Sequence, residues 1–526
     1  MNYRARLLWV WMALLLLTGC GTLPPREGMQ PSRAFSDTAH TALWRVAAAS
    51  IEPGANQSGF RLLPNGDHAF DARLALIQRA ERSLDVQYYH LHADSAGAAF
   101  VLALRDAAQR GVRVRLLVDD FHAGEVYALL RGLDAQPNVE VRIFNPMLAR
   151  WGTPLKRMLL SMREFARVNH RMHNKLLVAD NALAIFGGRN IADEYFSRHG
   201  EANFIDLDLI SAGAIVPSLS ASFDLYWNSE VVWPLEQRLH AWERSKDAAD
   251  RQADFDGRAA ALLGTAPGPV VTELDPLRQT SVRRQLAEGR LGLLAGRAQV
   301  HDDPPEKIRG PVVPNQPSAA MRGQLEVIGQ AKQEVIIVNP YFLPGEIGMR
   351  MMSEATQRGV RGVIVTNSLG STDEPLVHRA YSQYRAQMLR LGMHIYEFGP
   401  ELVRLSGNFG SYGASTPRLH AKVTGVDRRW LLVGSVNLDG RSAILNTELT
   451  VVIDSPALVR QALSMLEHDA FASMYRLQLA KDGQTIEWHA KDAQGRATVE
   501  LTEPHRSPWL DLSLWFQSLL VAEESL

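Results

Sequence analysis

Cysteine is nearly missing from this chain: Cys20 stands alone among 526 residues. No intramolecular disulfide can form, and metal centres built from several thiolates are excluded. An excess of one charge is missing too. The 56 Lys and Arg face 57 Asp and Glu, a formal net charge of −1. Proteins that attract nucleic acid over their whole surface usually read strongly basic, so that class is disfavoured, while a local basic patch stays compatible with the balance. The N-terminal apolar run, Leu7 to Leu17, is too short for a comfortable membrane span. What is present is globular: 46% hydrophobic and 21% charged residues in a chain long enough for two or more domains.

The N-terminus reads as an address. Arg4 and Arg6 precede the apolar run, and Leu17-Thr18-Gly19-Cys20 closes it. These last four residues resemble the lipobox of bacterial lipoproteins. The resemblance implies a signal peptide over 1–19, cleavage before Cys20, and lipidation of that cysteine. The competing reading is an uncleaved N-terminal anchor. Either places the mature chain on the far side of the inner membrane, facing the periplasm and held at a bilayer. Gly21, where retained lipoproteins often carry Asp, leans towards the outer membrane. Residues 20–58, rich in Pro, Gly, Ser and Ala, read mostly as a tether.

An internal repeat sets the architecture. Gln109-Arg110-Gly111-Val112-Arg113 recurs as Gln357-Arg358-Gly359-Val360-Arg361, and His173-x-Lys175 recurs as His420-x-Lys422 at nearly the same offset. Each half reads helix (Ala72 to Arg82; Met321 to Lys332), strand (Leu84 to Tyr89; Glu334 to Val338), a helix ending at the Arg-Gly pair, and strand (Val112 to Val118; Val360 to Thr366). A helix and a strand follow (Val139 to Phe144; His394 to Phe398). This alternation predicts an α/β protein with helices on both faces of a sheet. The halves are expected at 59–234 and 319–480. A connector at 235–318 reads as a solvated helical linker, and 481–526 as a C-terminal extension whose apolar stretch, Trp509 to Val521, docks as a terminal helix.

The chemistry sits in the paired motifs. The first runs His173-x-Lys175-x4-Asp180, then Gly187-Gly188-Arg189-Asn190; the second runs His420-x-Lys422-x4-Asp427, then Gly434-Ser435-Val436-Asn437. Side chains two apart on a strand share a face, so each motif presents an imidazole beside an ammonium. Two motifs around one point suit a phosphodiester. Lysines neutralise non-bridging oxygens, one neutral His attacks phosphorus, and a protonated His serves the leaving alcohol.

The paired pattern resembles the phospholipase D superfamily over about Ser58 to Ala480. The resemblance implies two similar α/β/α sandwich halves related by pseudo-twofold symmetry, one active site on the axis, and no metal or cofactor. It implies His173 as the nucleophile that forms a phosphohistidine and His420 as the acid, with the near-symmetry allowing the reverse. Lys175, Lys422, Asn190 and Asn437 are implied as phosphate ligands, and Ser435 belongs to the same substrate-binding set. Asp180 and Asp427 match the motif carboxylates, whose part is more structural. Glu448 resembles the acid that orients a catalytic His, and Asp206 or Asp208 is its counterpart in the first half. Gly188 replaces the usual Ser, so one hydroxyl contact is missing or supplied elsewhere.

Gly187 to Phe196 and Phe204-Ile205-Asp206-Leu207-Asp208 look most like bacterial cardiolipin synthases of the C type. That likeness implies transfer of a phosphatidyl group from phosphatidylglycerol or phosphatidylethanolamine to phosphatidylglycerol. Arg150 to Arg171 interleaves six basic residues with apolar ones, and it reads either as a basic amphipathic helix on an anionic bilayer or as a helix packed on the core. The partners expected are phospholipids, a membrane and, optionally, a companion protein; nucleic acid is not expected. Phospholipid hydrolysis, a tethered nuclease and a catalytically dead membrane adaptor are the rival readings.

Overall fold

The computed structural model describes residues 23–518 apart from 24, 27, 52–53, 55–56, 150–152, 240–246, 265–270, 311–315, 407–413, 467–473 and 493. The expected signal peptide and Cys20 lie outside the described residues.

The first half holds strands β1 (Ser58–Leu63), β2 (Ser83–Tyr88), β3 (Arg113–Asp119), β4 (Val139–Phe144), β5 (Lys175–Ala179), β6 (Leu183–Gly187), β7 (Ala202–Ile205), β8 (Asp208–Gly213) and β9 (Val232–Pro234). The second holds β10 (Leu294–Asp302), β11 (Glu334–Val338), β12 (Arg361–Asn367), β13 (His394–Phe398), β14 (Thr416–Leu419), β15 (Val423–Val426), β16 (Trp430–Gly434), β17 (Leu449–Asp454), β18 (Met474–Leu479), β19 (Ile486–Lys491) and β20 (Ala497–Glu500). The principal helices are α1 (Ala42–Ser50), α2 (Gly66–Arg79), α3 (Ser95–Gln109), α4 (Tyr127–Asp134), α5 (Pro154–Leu160), α6 (Ile215–Trp227), α7 (Ala248–Leu263), α8 (Val282–Ala287), α9 (Ala319–Gly329), α10 (Gly345–Gln357), α11 (Pro375–Ser382), α12 (Pro456–Ser464) and α13 (Pro508–Ser518).

Each half repeats one sheet order, read from its pairings. In the first it runs β1-β8-β6-β5-β2-β3-β4, with β2, β3 and β4 parallel and the rest antiparallel. In the second it runs β10-β17-β16-β15-β11-β12-β13, with β11, β12 and β13 parallel. β5, β6, β11, β16 and β17 are mostly Val, Leu, Ile and other apolar residues, as a sheet covered on both faces favours, whereas β2 and β3 bury a charged pair, Asp85 with Arg115. The expected parallel strands are found within one residue of their predicted ends. Helices shift more, because their caps decide them. Asn65 accepts from the His68 amide and starts α2 earlier than Ala72, while Ser318 accepts from the Met321 amide and starts α9 at Ala319. The Arg-Gly pairs end α3 and α10 as expected: Gly111 and Gly359 both hold positive φ, at 94° and 79°.

Three expected boundaries need correction. Residues 20–58 are not mostly tether. Arg26 donates to the carbonyls of Ser229 and Val232, the Ala34 amide bonds Asp224, and Leu43, Val46 and Ala47 of α1 join the first core. The connector 235–318 is not a solvated linker. Phe255 of α7 is fully buried in the first core, and Arg283, at the start of α8, reaches back to Asp71. β10, inside that segment, is the first strand of the second repeat. Leu294 to Gly296 pair with β1 and Arg297 to Asp302 with β17, so one strand stitches both sheets into one. The boundary at 480 cuts a hairpin, since β18 pairs with β13 and with β19. The terminal helix docks as expected against α11, with Leu514 buried, while Trp509 on the same helix is 82% exposed.

Candidate active site

Each motif strand begins at the seam between the halves. The His173 amide donates to the Thr447 carbonyl and the Thr447 amide to the Arg171 carbonyl, both at 2.8 Å. In mirror fashion the His420 amide donates to the Ile205 carbonyl at 2.7 Å, beside the parallel pair β7–β14. The segment before each His therefore lies against the segment before the other half's carboxylate.

That seam crosses the functional groups over. His173 Nδ1 lies 2.9–3.0 Å from both Glu448 oxygens and 3.1 Å from the Ser435 carbonyl. His420 Nδ1 lies 2.7 Å from Asp206. Each imidazole is held by a carboxylate from the opposite half. With Nδ1 donating, the lone pair is left on Nε2. Asp206, not Asp208, is thus the first-half counterpart. Asp208 is spent on Arg73 and Arg189 inside the core.

The two carboxylates differ in support. Glu448 also accepts from the hydroxyls of Ser435 and Ser442 and from no water-facing group, being fully buried. Although burial pushes it up, His173, Lys175 and the Ser435 hydroxyl outweigh that and hold it below the usual Glu range. Asp206 has its own Leu207 amide but no hydroxyl, and burial holds it above the usual Asp range. Gly188 explains the difference. A Cβ there would stand 2.2 Å from Asp206 Oδ1, so the Ser present at the matching position 435 has no room. The hydroxyl contact is replaced by the shorter acid itself.

Burial, aided by Lys175 and Lys422, makes both imidazoles neutral. His173 falls to about 4 against the pull of Glu448, and His420 falls well below its ordinary value. Lys175 Nζ donates to the His173 carbonyl at 2.6 Å and Lys422 Nζ to that of His420 at 2.5 Å. Burial lowers both ammonium groups, Lys422 to about 8, with Asp206 opposing. Two cations and two imidazoles crowded out of water form a site that an anion would complete.

Other expected residues take different places. Asp180 accepts the amides of Glu81, Arg82 and Ser83, and Asp427 those of Lys332, Gln333 and Glu334. They pin the helix-to-strand turns and touch no motif His or Lys, so grouping them with the catalytic set is corrected. Both hold positive φ, 53° and 51°. Ser435 and Glu448 position His173 instead of facing substrate. The Asn190 amide is used by the His90 amide and the Tyr195 hydroxyl, whereas Asn437 Oδ1 is buried without a partner among the described residues.

Sequence reasoning missed the aromatic wall. Tyr89 stands edge-on to His173 at 5.1 Å and beside Lys175 Nζ at 5.3 Å; Tyr341 repeats this against His420 at 6.3 Å and Lys422 at 5.7 Å. Tyr89 directly follows β2, whereas Tyr341 stands three residues past β11 and one place further on in the repeat register, where the first half has His90. His90 and His122 stack at 4.1 Å on the first-half side only.

The basic stretch divides. Arg157 and Arg171 are buried, paired with Asp120 and Asp119. Among described residues, Lys156 and Arg163 stay exposed beside Leu155, Leu159 and Leu160, which are 71%, 61% and 63% exposed, and the exposed Phe165. Arg150 and Trp151 lie outside the described residues. Among these residues no helix is long and apolar enough to cross a membrane.

A family profile described as "Cardiolipin synthase, PLD-like domain" matches residues 74–227 and 325–470. The chain is 33% identical over 481 residues to cardiolipin synthase C of Escherichia coli (strain K12), covering 90% of this chain and 97% of that one. It is 26% identical over 393 residues to cardiolipin synthase B of Salmonella typhimurium (strain LT2), covering 75% and 76%. Among solved structures, phosphatidylserine synthase of Haemophilus influenzae Rd KW20 superposes with a TM-score of 0.54 at 14% identity, over 91% of this chain and 97% of that one, which shows a shared fold.

Proposed function

Because the chain belongs to the cardiolipin synthase, PLD-like domain family, we propose that it is a membrane-anchored phosphatidyltransferase that makes cardiolipin through a phosphohistidine. The carrying observation is the crossed pair of His–carboxylate contacts through Nδ1, which leaves each Nε2 lone pair for chemistry, with two lysines beside them.

The donor phospholipid places its phosphate between Lys175 and Lys422. Burial and then Lys422 and Lys175 depress His420; the phosphate's negative charge offsets the two lysines, and His420 takes up a proton. His173 Nε2 attacks phosphorus. The P–N bond forms as the P–O bond to the headgroup breaks, and His420 gives its proton to the departing oxygen. The hydroxyl of phosphatidylglycerol then gives a proton to His420 and attacks phosphorus, and the P–N bond breaks to restore His173. Glu448 supports this assignment. The phosphohistidine ring carries positive charge, and Glu448, held ionised by His173, Lys175 and the Ser435 hydroxyl, faces it. The donor is phosphatidylglycerol or phosphatidylethanolamine. Water in place of the acceptor would give phosphatidic acid, the hydrolase reading.

The anchor is Cys20, facing the periplasm, with the outer membrane favoured. The exposed Leu155, Leu159, Leu160 and Phe165, flanked by Lys156 and Arg163, support contact with an anionic bilayer beside the site.

Product analysis tests the proposal. Purified protein is given phosphatidylglycerol with and without phosphatidylethanolamine. Cardiolipin that disappears in His173→Ala and His420→Ala is expected. Phosphatidic acid alone would replace the synthase with a hydrolase, and cleavage only of nucleic acid would overturn the lipid reading.

A further inference from the structure

The repeat makes a comparison possible inside one molecule. In the first half, the space between α2, α3 and the sheet is filled by aromatic rings. Phe70 and Phe196 stand 4.6 Å apart, and Phe100 is buried in the same core. The three-amide turns at Asp180 and Asp427 align α2 with α9, which sets Met321 at the place of Phe70. The motif spacing sets Ala443 at the place of Phe196, and the Gln-Arg-Gly-Val repeat sets Gly348 at that of Phe100. Leu91 and His92 pair with Ile191 as Leu343 pairs with Leu438, which confirms this register. Three rings are thus exchanged for a methionine, a methyl group and a hydrogen.

The second half does not collapse into the space. A cavity of about 370 Å³ remains, and Met321, Gly348 and Ala443 all line it, with Leu325, Met352 and Leu438. Protein interiors are close-packed, with few voids larger than a water molecule. This one falls in the size range of ligand sites, about 300–1,000 Å³. Its lining is mainly apolar, so a hydrocarbon chain seated in it would be removed from water. Methionines suit a flexible occupant. Its polar rim, Gln316 and Glu346, is exposed.

Its position ties it to the chemistry. Tyr341, beside His420 and Lys422, is followed directly by the wall residues Phe342 and Leu343; Asn437 is followed by Leu438. The Leu343 amide donates to the Leu438 carbonyl at 2.7 Å and closes the two walls together. The rim at Pro344 and Gly345 lies at the carboxyl end of β11, four residues at most from Tyr341, within about 14 Å by chain length.

We propose that this cavity holds one acyl chain of the phospholipid whose phosphate lies between His173 and His420. The inference rests on the phospholipid reading above. In the first half Phe70, Phe100 and Phe196 occupy the matching place, so the two halves treat the substrate differently: the chain is held on the second-half side.

Photolabelling tests it. Full-length enzyme is irradiated with phosphatidylglycerol carrying a diazirine at the end of one chain, and in parallel with a diazirine fatty acid, and adducts are mapped by mass spectrometry. Expected are phosphatidylglycerol adducts on residues 321–352 and 438–444. Labelling should fall about tenfold in Met321→Phe/Ala443→Phe, where a few methylenes can no longer be buried. That variant restores two of the first half's three rings, and a thermal midpoint at or above the parent's establishes that it is folded. Adducts elsewhere, in an enzyme that does turn over phospholipid, overturn the inference and leave the function standing. So does labelling of the cavity by the fatty acid alone. No phospholipid turnover and no adduct overturn both.

Discussion

Replacing Glu448 with Gln tests the crossed clamp most directly. The substitution keeps size and shape, but every neighbour of this carboxylate donates to it: His173 Nδ1, the Ser435 hydroxyl and the Ser442 hydroxyl. A Gln must turn its NH2 towards one of them. Facing His173, it drives the ring proton to Nε2 and silences the nucleophile. Facing a serine, it still leaves the phosphohistidine without its counter-charge. Removing one partner of a buried pair costs about 3–5 kcal/mol. At 1.36 kcal/mol per tenfold, kcat should fall by about 10²–10⁴. Asp206→Asn should cost a similar amount overall but at a different step. The assay is rapid-quench kinetics with phosphatidyl-p-nitrophenol, whose leaving group needs no proton. Glu448→Gln should abolish the burst of p-nitrophenolate. Asp206→Asn should keep the burst and slow the steady state. A burst kept in Glu448→Gln and lost in Asp206→Asn refutes His173 as the nucleophile, and losses under about tenfold in both refute the clamp.

Asp180→Ala should lower stability by about 1–3 kcal/mol, since the buried Ser83 amide and the half-buried amides of Glu81 and Arg82 lose their acceptor, while kcat per folded molecule holds; urea unfolding beside active-site titration checks this. Asp427→Ala should cost less, its turn being nearer water. Gly188→Ser should push Asp206 off His420 and cut kcat at least about tenfold, the lost contact being a charge-assisted bond; Michaelis kinetics decide. The profile of kcat/KM against pH should be a bell. His173, depressed to about 4, is neutral above that value, so activity is lost as pH falls through it; Lys422, lowered to about 8, loses its charge as pH rises through that value. Lys422→Arg should change the alkaline limb without removing it, because Lys175, lowered by the same burial, still loses its charge as pH rises. Leu155→Ser/Leu159→Ser and Lys156→Glu/Arg163→Glu should each weaken binding to phosphatidylglycerol vesicles by about tenfold or more, from lost methylene burial and about 1 kcal/mol per cation; vesicle co-sedimentation reads it. Arg157, being buried, belongs in neither variant.

The paired motifs and the order of parallel strands were legible because both are periodic. Alternation put His173 beside Lys175, and the repeat offset located the second copy. Boundaries depended on single caps such as Asn65 and Ser318, which local pattern alone did not single out. β10 was hidden because residues such as Arg297, Gln299 and His301 alternate with small apolar ones in a segment that otherwise reads as polar helix. The choice between Asp206 and Asp208 was beyond sequence, since the partner of each His lies in the other half, over two hundred residues away. The cavity was implicit in the mismatch of Phe70, Phe100 and Phe196 with Met321, Gly348 and Ala443, but only once the register was fixed by hydrogen bonds.

Duplication commonly brings redundancy, in which one copy shelters lesions in the other. The exchange of carboxylates across the seam does the opposite here. Glu448 is idle without His173, and Asp206 without His420, so the halves operate in series and a fault in either stops the whole. The pair is therefore exposed to damage as a single unit of twice the length, and the second copy is free to diverge only away from the seam, as its emptied core already has.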